Sequence, residues 1–216
     1  MPDMLWTVGR IRGREVDVSG GTVTAARRSY GDLDRERVVS ALYELARRVG
    51  VQRVTMADLA VELGAAKPSV YYHVPGKQAA LDLLAEAVLA TIAEPGPGPW
   101  DRRLRELYCA ARKAMLEVPG IAVVLQTNGN GHTARRHDRL SRSLLGEAGL
   151  DAAAASTAHA LLYTYLLGSV SLEDSRPAPT SARARRRAEA GFERGLELIV
   201  AGIRATSSPQ RRTGSA

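Results

Sequence analysis

Residues Arg53 to Lys77 read RVTMADLAVELGAAKPSVYYHVPGK, and this stretch decides the fold. Thr55 stands where a helix N-cap belongs, and Asp58 three positions on can return a bond to the free backbone N–H, as in a capping box. Met56, Leu59, Ala60 and Leu63 then recur at helical spacing, and Gly64 falls where a left-handed residue ends a helix. After Ala65 and Ala66, Lys67-Pro68-Ser69-Val70-Tyr71-Tyr72-His73 makes a second short helix, with Pro68 tolerated in a first turn that has no partner for its missing N–H. Val70 is its one clear apolar anchor, so Lys67, Ser69, Tyr71, Tyr72 and His73 project outward.

Such a pair fits a helix-turn-helix, whose second helix enters the DNA major groove N-terminal residues first. Lys67 can reach guanine O6 and N7, and Pro68 or the Ser69 carbon can meet a thymine methyl. Tyr71, Tyr72, His73 and Lys77 suit phosphate oxygens, which position without reading sequence. Spacing alone fits a plain corner of two helices equally well.

From Leu33 to Ala90 the chain resembles the tetracycline-repressor (TetR) family of bacterial transcription regulators. That family carries T-x-x-x-L-A-x-x-L-G followed by Y-x-H-F/V-x-x-K, matched here by Thr55, Leu59-Ala60, Leu63-Gly64, Tyr71, His73-Val74 and Lys77. The resemblance implies that Thr55, Tyr71 and Lys77 hold phosphates while Lys67, Pro68, Ser69, Tyr72 and His73 face the bases or the groove wall. Met56-Ala57 stand where the tetracycline repressors often carry a basic contact, so operator identity does not carry over.

The 216 residues are enough for two helical parts sharing a core. A net charge of +7 suits a nucleic-acid partner, or a soluble protein from an arginine-biased genome. Of the three lysines, Lys67, Lys77 and Lys113, two lie at the reading head. Cys109 is the single cysteine, so no disulfide forms within the chain, which fits the cytoplasm. No stretch reaches the roughly 18 apolar residues of a membrane span. The expectation is a soluble, unexported, all-α protein.

Residues 1–32 lack helical spacing and read as a flexible leader, or as an arm adding DNA contacts through Arg27 and Arg28. Val38, Ala41, Leu42, Leu45 and Val49 form a helical stripe ended by Gly50, completing a three-helix DNA-binding domain over 33–78. Leu81, Leu84, Ala85, Val88, Leu89 and Ile92 stripe a connecting helix, which opens a larger helical domain over 79–205. Glu94 to Pro99 make a tight linker or loop, and a buried helix runs from Trp100 to Val118. Ile121 to Gln126 form a short apolar element, Thr127 to Gly131 a loop, and Arg135 to Ala148 an amphipathic helix. A long apolar helix follows from Asp151 to about Glu173, residues 175–182 form a loop, and a last helix runs from Arg183 to Ala205. Residues 206–216 read as a disordered tail.

The last two helices are more apolar than a small monomer easily buries. Either they fill the core of one chain, or they pair with their symmetry mates in a homodimeric four-helix bundle. Leu161, Tyr165, Gly168, Phe192, Leu196, Ile199 and Ile203 are the interface candidates. Gly191 and Gly195 flank the last stripe and admit a close helix approach.

Trp100 through Pro119-Gly120 to Gly168-Ser169-Val170-Ser171-Leu172-Glu173 resembles, more loosely, the C-terminal domain of the tetracycline repressors. That resemblance implies a core that binds a small effector and tilts the connecting helix. Leu104, Leu107, Tyr108, Ala111, Met115, Leu125, Asn128, His159 and Tyr163 are the pocket candidates. The family's magnesium-binding histidines fall on Ala93 and Leu125, and its drug-contacting asparagine and phenylalanine on Leu107 and Ala111. Tetracycline is therefore not the expected effector.

His132 and His137, five apart beside Asp138, do not share a helical face and read as surface or loop residues rather than a metal site. His159 on an apolar helix reads as a hydrogen-bonded core or interface residue, with pocket lining as the alternative. Cys109 lacks a base and an oxyanion site, so nothing supports catalysis, and no metal or cofactor is expected. The sequence points to a repressor that binds a palindromic double-stranded operator as a dimer and is released by an effector. A constitutive or architectural DNA-binding protein is the first alternative, and a helical enzyme or carrier the second.

Overall fold

In the computed structural model, residues 34–128, 131–176 and 181–207 are described, the Asn128 side chain excepted. The leader over 1–32 and the tail beyond Ser207 lie outside them. Among the described residues the ordered elements are all helical: α1 (Arg35–Val49), a 3-10 turn (Val51–Arg53), α2 (Met56–Leu63), α3 (Lys67–His73), α4 (Lys77–Ala90), α5 (Trp100–Leu116), α6 (Ile121–Asn128), α7 (His132–Glu147), α8 (Ala152–Asp174) and α9 (Ala182–Ser207).

The local signals act as their chemistry requires. Asp34 caps α1 by accepting the Arg37 N–H at 2.7 Å. Thr55 caps α2 by accepting the Asp58 N–H at 3.1 Å, and Asp58 Oδ2 takes the Thr55 hydroxyl proton at 2.6 Å. The return bond thus runs to the hydroxyl, a variant of the reciprocal cap. Gly64 ends α2 at φ 61°, a left-handed conformation that costs glycine little.

At seven residues α3 is far too short to persist alone, so its neighbours must hold it. Val70 does this, fully buried against a core that includes Leu42 and Leu59. Helix α1 packs on α2, α3 and α4, and α4 in turn packs on α5, α6 and α7. One rod therefore touches both the reading pair and the rest of the bundle. A second tie runs beside it, where the Val51 N–H donates to Pro119 O at 2.9 Å. Asp174 at the end of α8 accepts the Gly120 N–H at 2.8 Å, just ahead of α6.

Several expected boundaries move. The loop expected from Thr127 starts later, because Thr127 and Asn128 complete α6. Helix α7 begins at His132 rather than Arg135, since Glu86 of α4 holds its first turn. Thr206 and Ser207 extend α9, their hydroxyls donating back to Gly202 O and Ile203 O.

The interface candidates divide. Phe192, Leu196 and Ile203 have 4%, 0% and 7% of their surface exposed, so they are core of this chain rather than contacts for a second copy. Arg112 of α5, paired with Glu173 of α8 at 2.7 Å, lies over the Phe192 ring and helps seal that layer. Tyr165 and Ile199 are half-buried, with Tyr165 stacked on Phe192 and donating to its carbonyl at 2.9 Å. Leu161 and Gly168 face outward, with Leu172 and Leu198.

Gly195 leaves room for the Tyr165 side chain of α8, since a Cβ there would overlap Tyr165 Oη, while one at Gly191 meets nothing within 4 Å. Gly191→Ala is expected to raise the melting temperature, since alanine in a helix interior is favoured over glycine by about 1 kcal/mol. Gly195→Ala is expected to lower it by displacing Tyr165, at roughly 1–3 kcal/mol for overpacking. Equal shifts in thermal melts of the two variants would contradict this packing.

Candidate nucleic-acid interface and ligand cavity

The outward groups of the reading pair sit as their spacing requires. Lys67, Pro68, Tyr71, Tyr72, Lys77 and Thr55 are exposed, while Ser69 and His73 are half-buried. Tyr72 is 86% exposed, an unusual setting for a large ring, and it meets the His73 ring edge-on at 5.2 Å. The Lys77 ammonium reaches back to Gln52 O at 3.5 Å, holding the start of α4 near the 3-10 turn. Arg48 bridges α1 to Glu62 of α2 at 2.5 Å, which leaves it partnered within the protein.

A cavity of about 390 Å³ lies among α4, α5, α6, α7 and α8. Its apolar side includes Leu107, Ala111 and Met115 of α5, Leu125 of α6, and Leu89 from the end of α4. Its polar side is carried by α7, through His137, Asp138 and Ser141, and by Tyr108, His159 and Tyr163. Of the pocket candidates, Leu107, Tyr108, Ala111, Met115, Leu125, His159 and Tyr163 line it. Leu104 does not, because it is fully buried in solid core and presents no surface to the cavity. The Asn128 side chain lies outside the described residues.

His137 corrects another expectation. It is part-buried in the cavity wall rather than on the surface, with Nε2 3.0 Å from Leu89 O and Nδ1 buried without a partner among the described residues. His132, by contrast, is exposed at the start of α7. The spacing of the two histidines held no clue to this. A different signal was present: His137 and Ser141, and Asp138 and Arg142, repeat at i, i+4 on one side of α7.

The polar wall is a directed network. His159 Nε2 lies 2.9 Å from Asp138 Oδ1, and its Nδ1 lies 3.3 Å from the Tyr108 hydroxyl. Burial holds the His159 imidazole below its ordinary pKa, outweighing the opposing pull of Asp138, with Arg142 adding to the lowering. The ring is therefore neutral at pH 7, its Nε2–H donates to the carboxylate, and its Nδ1 accepts from Tyr108. Burial also pushes the Tyr108 and Tyr163 phenols upward, so both keep their protons.

Residues 38–86 match the family model described as bacterial regulatory proteins, tetR family. The class C tetracycline repressor protein of Escherichia coli is 30% identical over 200 residues, covering 79% of this chain and 90% of that protein. The chain belongs to the TetR family. A TetR variant from Acinetobacter baumannii AYE, solved with minocycline, superposes with a TM-score of 0.71 at 27% identity, over 82% of this chain and 99% of that one. BioQ, solved with its natural double-stranded DNA operator, gives 0.68 at 25% identity, over 80% and 99%.

As a TetR-family member the protein is a DNA-binding transcriptional regulator, and its relatives are regulators rather than enzymes. No helix of the described residues is long and apolar enough to cross a membrane. Among the same residues no group of three histidine, cysteine or carboxylate side chains could hold a metal ion. Leu107, Ala111 and Leu125 give this cavity an apolar wall.

Because His159 in the folded state takes a proton less readily than in the unfolded chain, the unfolded state binds more protons below the ordinary value of 6.5. The stabilisation is complete above pH 6.5 and declines as the pH falls through the lowered folded value. His159→Gln should flatten the melting temperature against pH below 6.5. An unchanged slope in that window would contradict a neutral His159.

Proposed function

We propose that this regulator is a homodimeric repressor that leaves a palindromic operator when a small molecule fills the cavity. In this reading residues 33–78 form the DNA-binding part and 79–205 the effector and dimerisation part, working in the cytoplasm. Lys67, Pro68, Ser69, Tyr72 and His73 face the major groove, and Thr55, Tyr71 and Lys77 hold phosphates.

The observation that carries the release mechanism is the bond between cavity and rod. Glu86 of α4 accepts the Thr133 N–H at 3.1 Å and its hydroxyl at 2.7 Å, fixing the first turn of α7. A Cβ at Gly131 would overlap Glu86 Oε1, so a larger residue there would push the carboxylate from its present position. Helix α7 forms the polar cavity wall, and α4 begins at Lys77 beside the reading pair. A ligand that shifts α7 thus acts on the element that sets the heads. Moving the population from 1:99 to 99:1 takes about 5.5 kcal/mol of differential binding.

The outward faces of α8 and α9 support the dimer. Leu161, Leu172 and Leu198 are 55%, 58% and 76% exposed, and Gly168 and Gly202 leave open space for a facing backbone. Leucines this exposed on two long helices match a face covered by a second copy.

Footprinting on DNA upstream of the protein's own gene, at defined salt, tests the proposal. The expected result is two protected half-sites about 34 Å, one helical turn, or somewhat more apart. Lys67→Ala should cost about 1–3 kcal/mol and relax specificity at one position, and Tyr71→Phe should weaken all sequences alike. Leu198→Glu should give monomers and abolish tight binding. Protection that Lys67→Ala leaves unchanged would overturn the assignment of the reading head.

A further inference from the structure

The cavity wall can be read proton by proton. His137 Nε2 faces the Leu89 carbonyl, which only accepts, so in the neutral ring Nε2 carries the proton and Nδ1, without a partner among the described residues, is a buried lone pair. Asp138 likewise only accepts, so His159 donates from Nε2 and its Nδ1 accepts a hydrogen bond from the Tyr108 hydroxyl. The Tyr108 O–H is then engaged as a donor, so Ser141, 3.1 Å off, donates to the phenol oxygen. Tyr163 donates to Leu125 O at 3.2 Å, and Thr127 to Val124 O at 3.1 Å. Arg142 Nε and His159 both reach Asp138 Oδ1, so Oδ2 keeps its lone pairs.

Every imidazole N–H and every tyrosine, serine and threonine O–H of this wall among the described residues is thereby committed. Lone pairs remain on His137 Nδ1, Asp138 Oδ2, Ser141 Oγ and Tyr163 Oη. The other donors of the lining, the Arg135 and Arg142 guanidiniums and the Gln126 amide, belong to exposed residues that water can reach, and Arg142 already donates to Asp138 at 2.8 Å and to Ser156 Oγ at 3.3 Å. The lining also includes Leu107, Ala111, Met115 and Leu125, whose side chains offer only apolar surface.

We infer that the cavity takes a hydrogen-bond-donating ligand: an apolar, ring-sized body carrying hydroxyl or amine N–H groups on the edge that meets α7. This rests on reading the cavity as the effector site. A ligand bearing only ether or carbonyl oxygens on that edge sets lone pair against lone pair and leaves buried acceptors unpaired, which binding sites reject strongly.

The test is calorimetric titration of the full chain, without DNA, with the para,para-diol of biphenyl and with its dimethyl ether. The two probes share their rings and differ in their donors. The diol should bind at least about tenfold tighter, the equivalent of one buried hydrogen bond. His137→Phe, checked by thermal melting, should bring that ratio down, and Ala111→Trp, which fills the apolar side, should abolish binding of both. A ratio at or below one, binding by neither probe, or affinities unchanged in Ala111→Trp would overturn the inference. If the diol binds tenfold tighter but leaves the operator footprint intact, the donor inference stands and the release mechanism falls. Release of the operator by a donor-free compound would do the reverse.

Discussion

The carboxylate of Glu86 is the point on which the rest of the structure turns. It sits within the connecting helix and closes on the first turn of α7, bonding both the Thr133 amide and its hydroxyl. A helix start leaves backbone N–H groups without partners, and a carboxylate satisfies them more strongly than a neutral acceptor does. Position and charge thus make α4 and α7 one unit at that end. His137, one turn further along α7, repeats the link through Leu89 O near the end of α4. Anything that moves α7 against the cavity therefore loads α4.

The reading head depends on this support because it has little of its own. Helix α3 fully buries a single side chain, Val70, and leaves its other groups exposed or, at Ser69 and His73, half-buried. Its orientation is inherited from α1, α2 and α4. The Val51 to Pro119 bond gives a second attachment, beside the start of α6, whose far end reaches the cavity through Leu125. Two attachments constrain the head more tightly than a rod alone, and both lead back to helices that line the cavity.

Much of the fold was legible because it rests on local chemistry. Thr55, Gly64 and Gly50 end or begin helices for reasons visible within a few residues, and Val70 stood out as the anchor of α3. Seven of the nine pocket candidates line the cavity, since α5 and α8 each present one continuous face to it. What was not legible required knowing which of two apolar faces the chain covers itself. Phe192, Leu196 and Ile203 share a stripe on α9, and periodicity cannot say that α5 and α8 bury it and leave Leu198 outside. His137 was missed for a related reason. A lone histidine reaching the carbonyl of a distant helix leaves no mark in spacing.

The central claim is that the DNA head and the cavity wall are coupled through Glu86, and amide hydrogen exchange measures this without knowledge of the effector. Coupling is reciprocal, so operator binding must alter the free energy of opening in the wall as ligand would alter the head. Comparing the free protein with its operator complex, exchange at residues 131–137 should change although no DNA reaches them, and Glu86→Ala should abolish that change. Altered protection confined to α1, α2, α3 and the first turn of α4 would contradict the account.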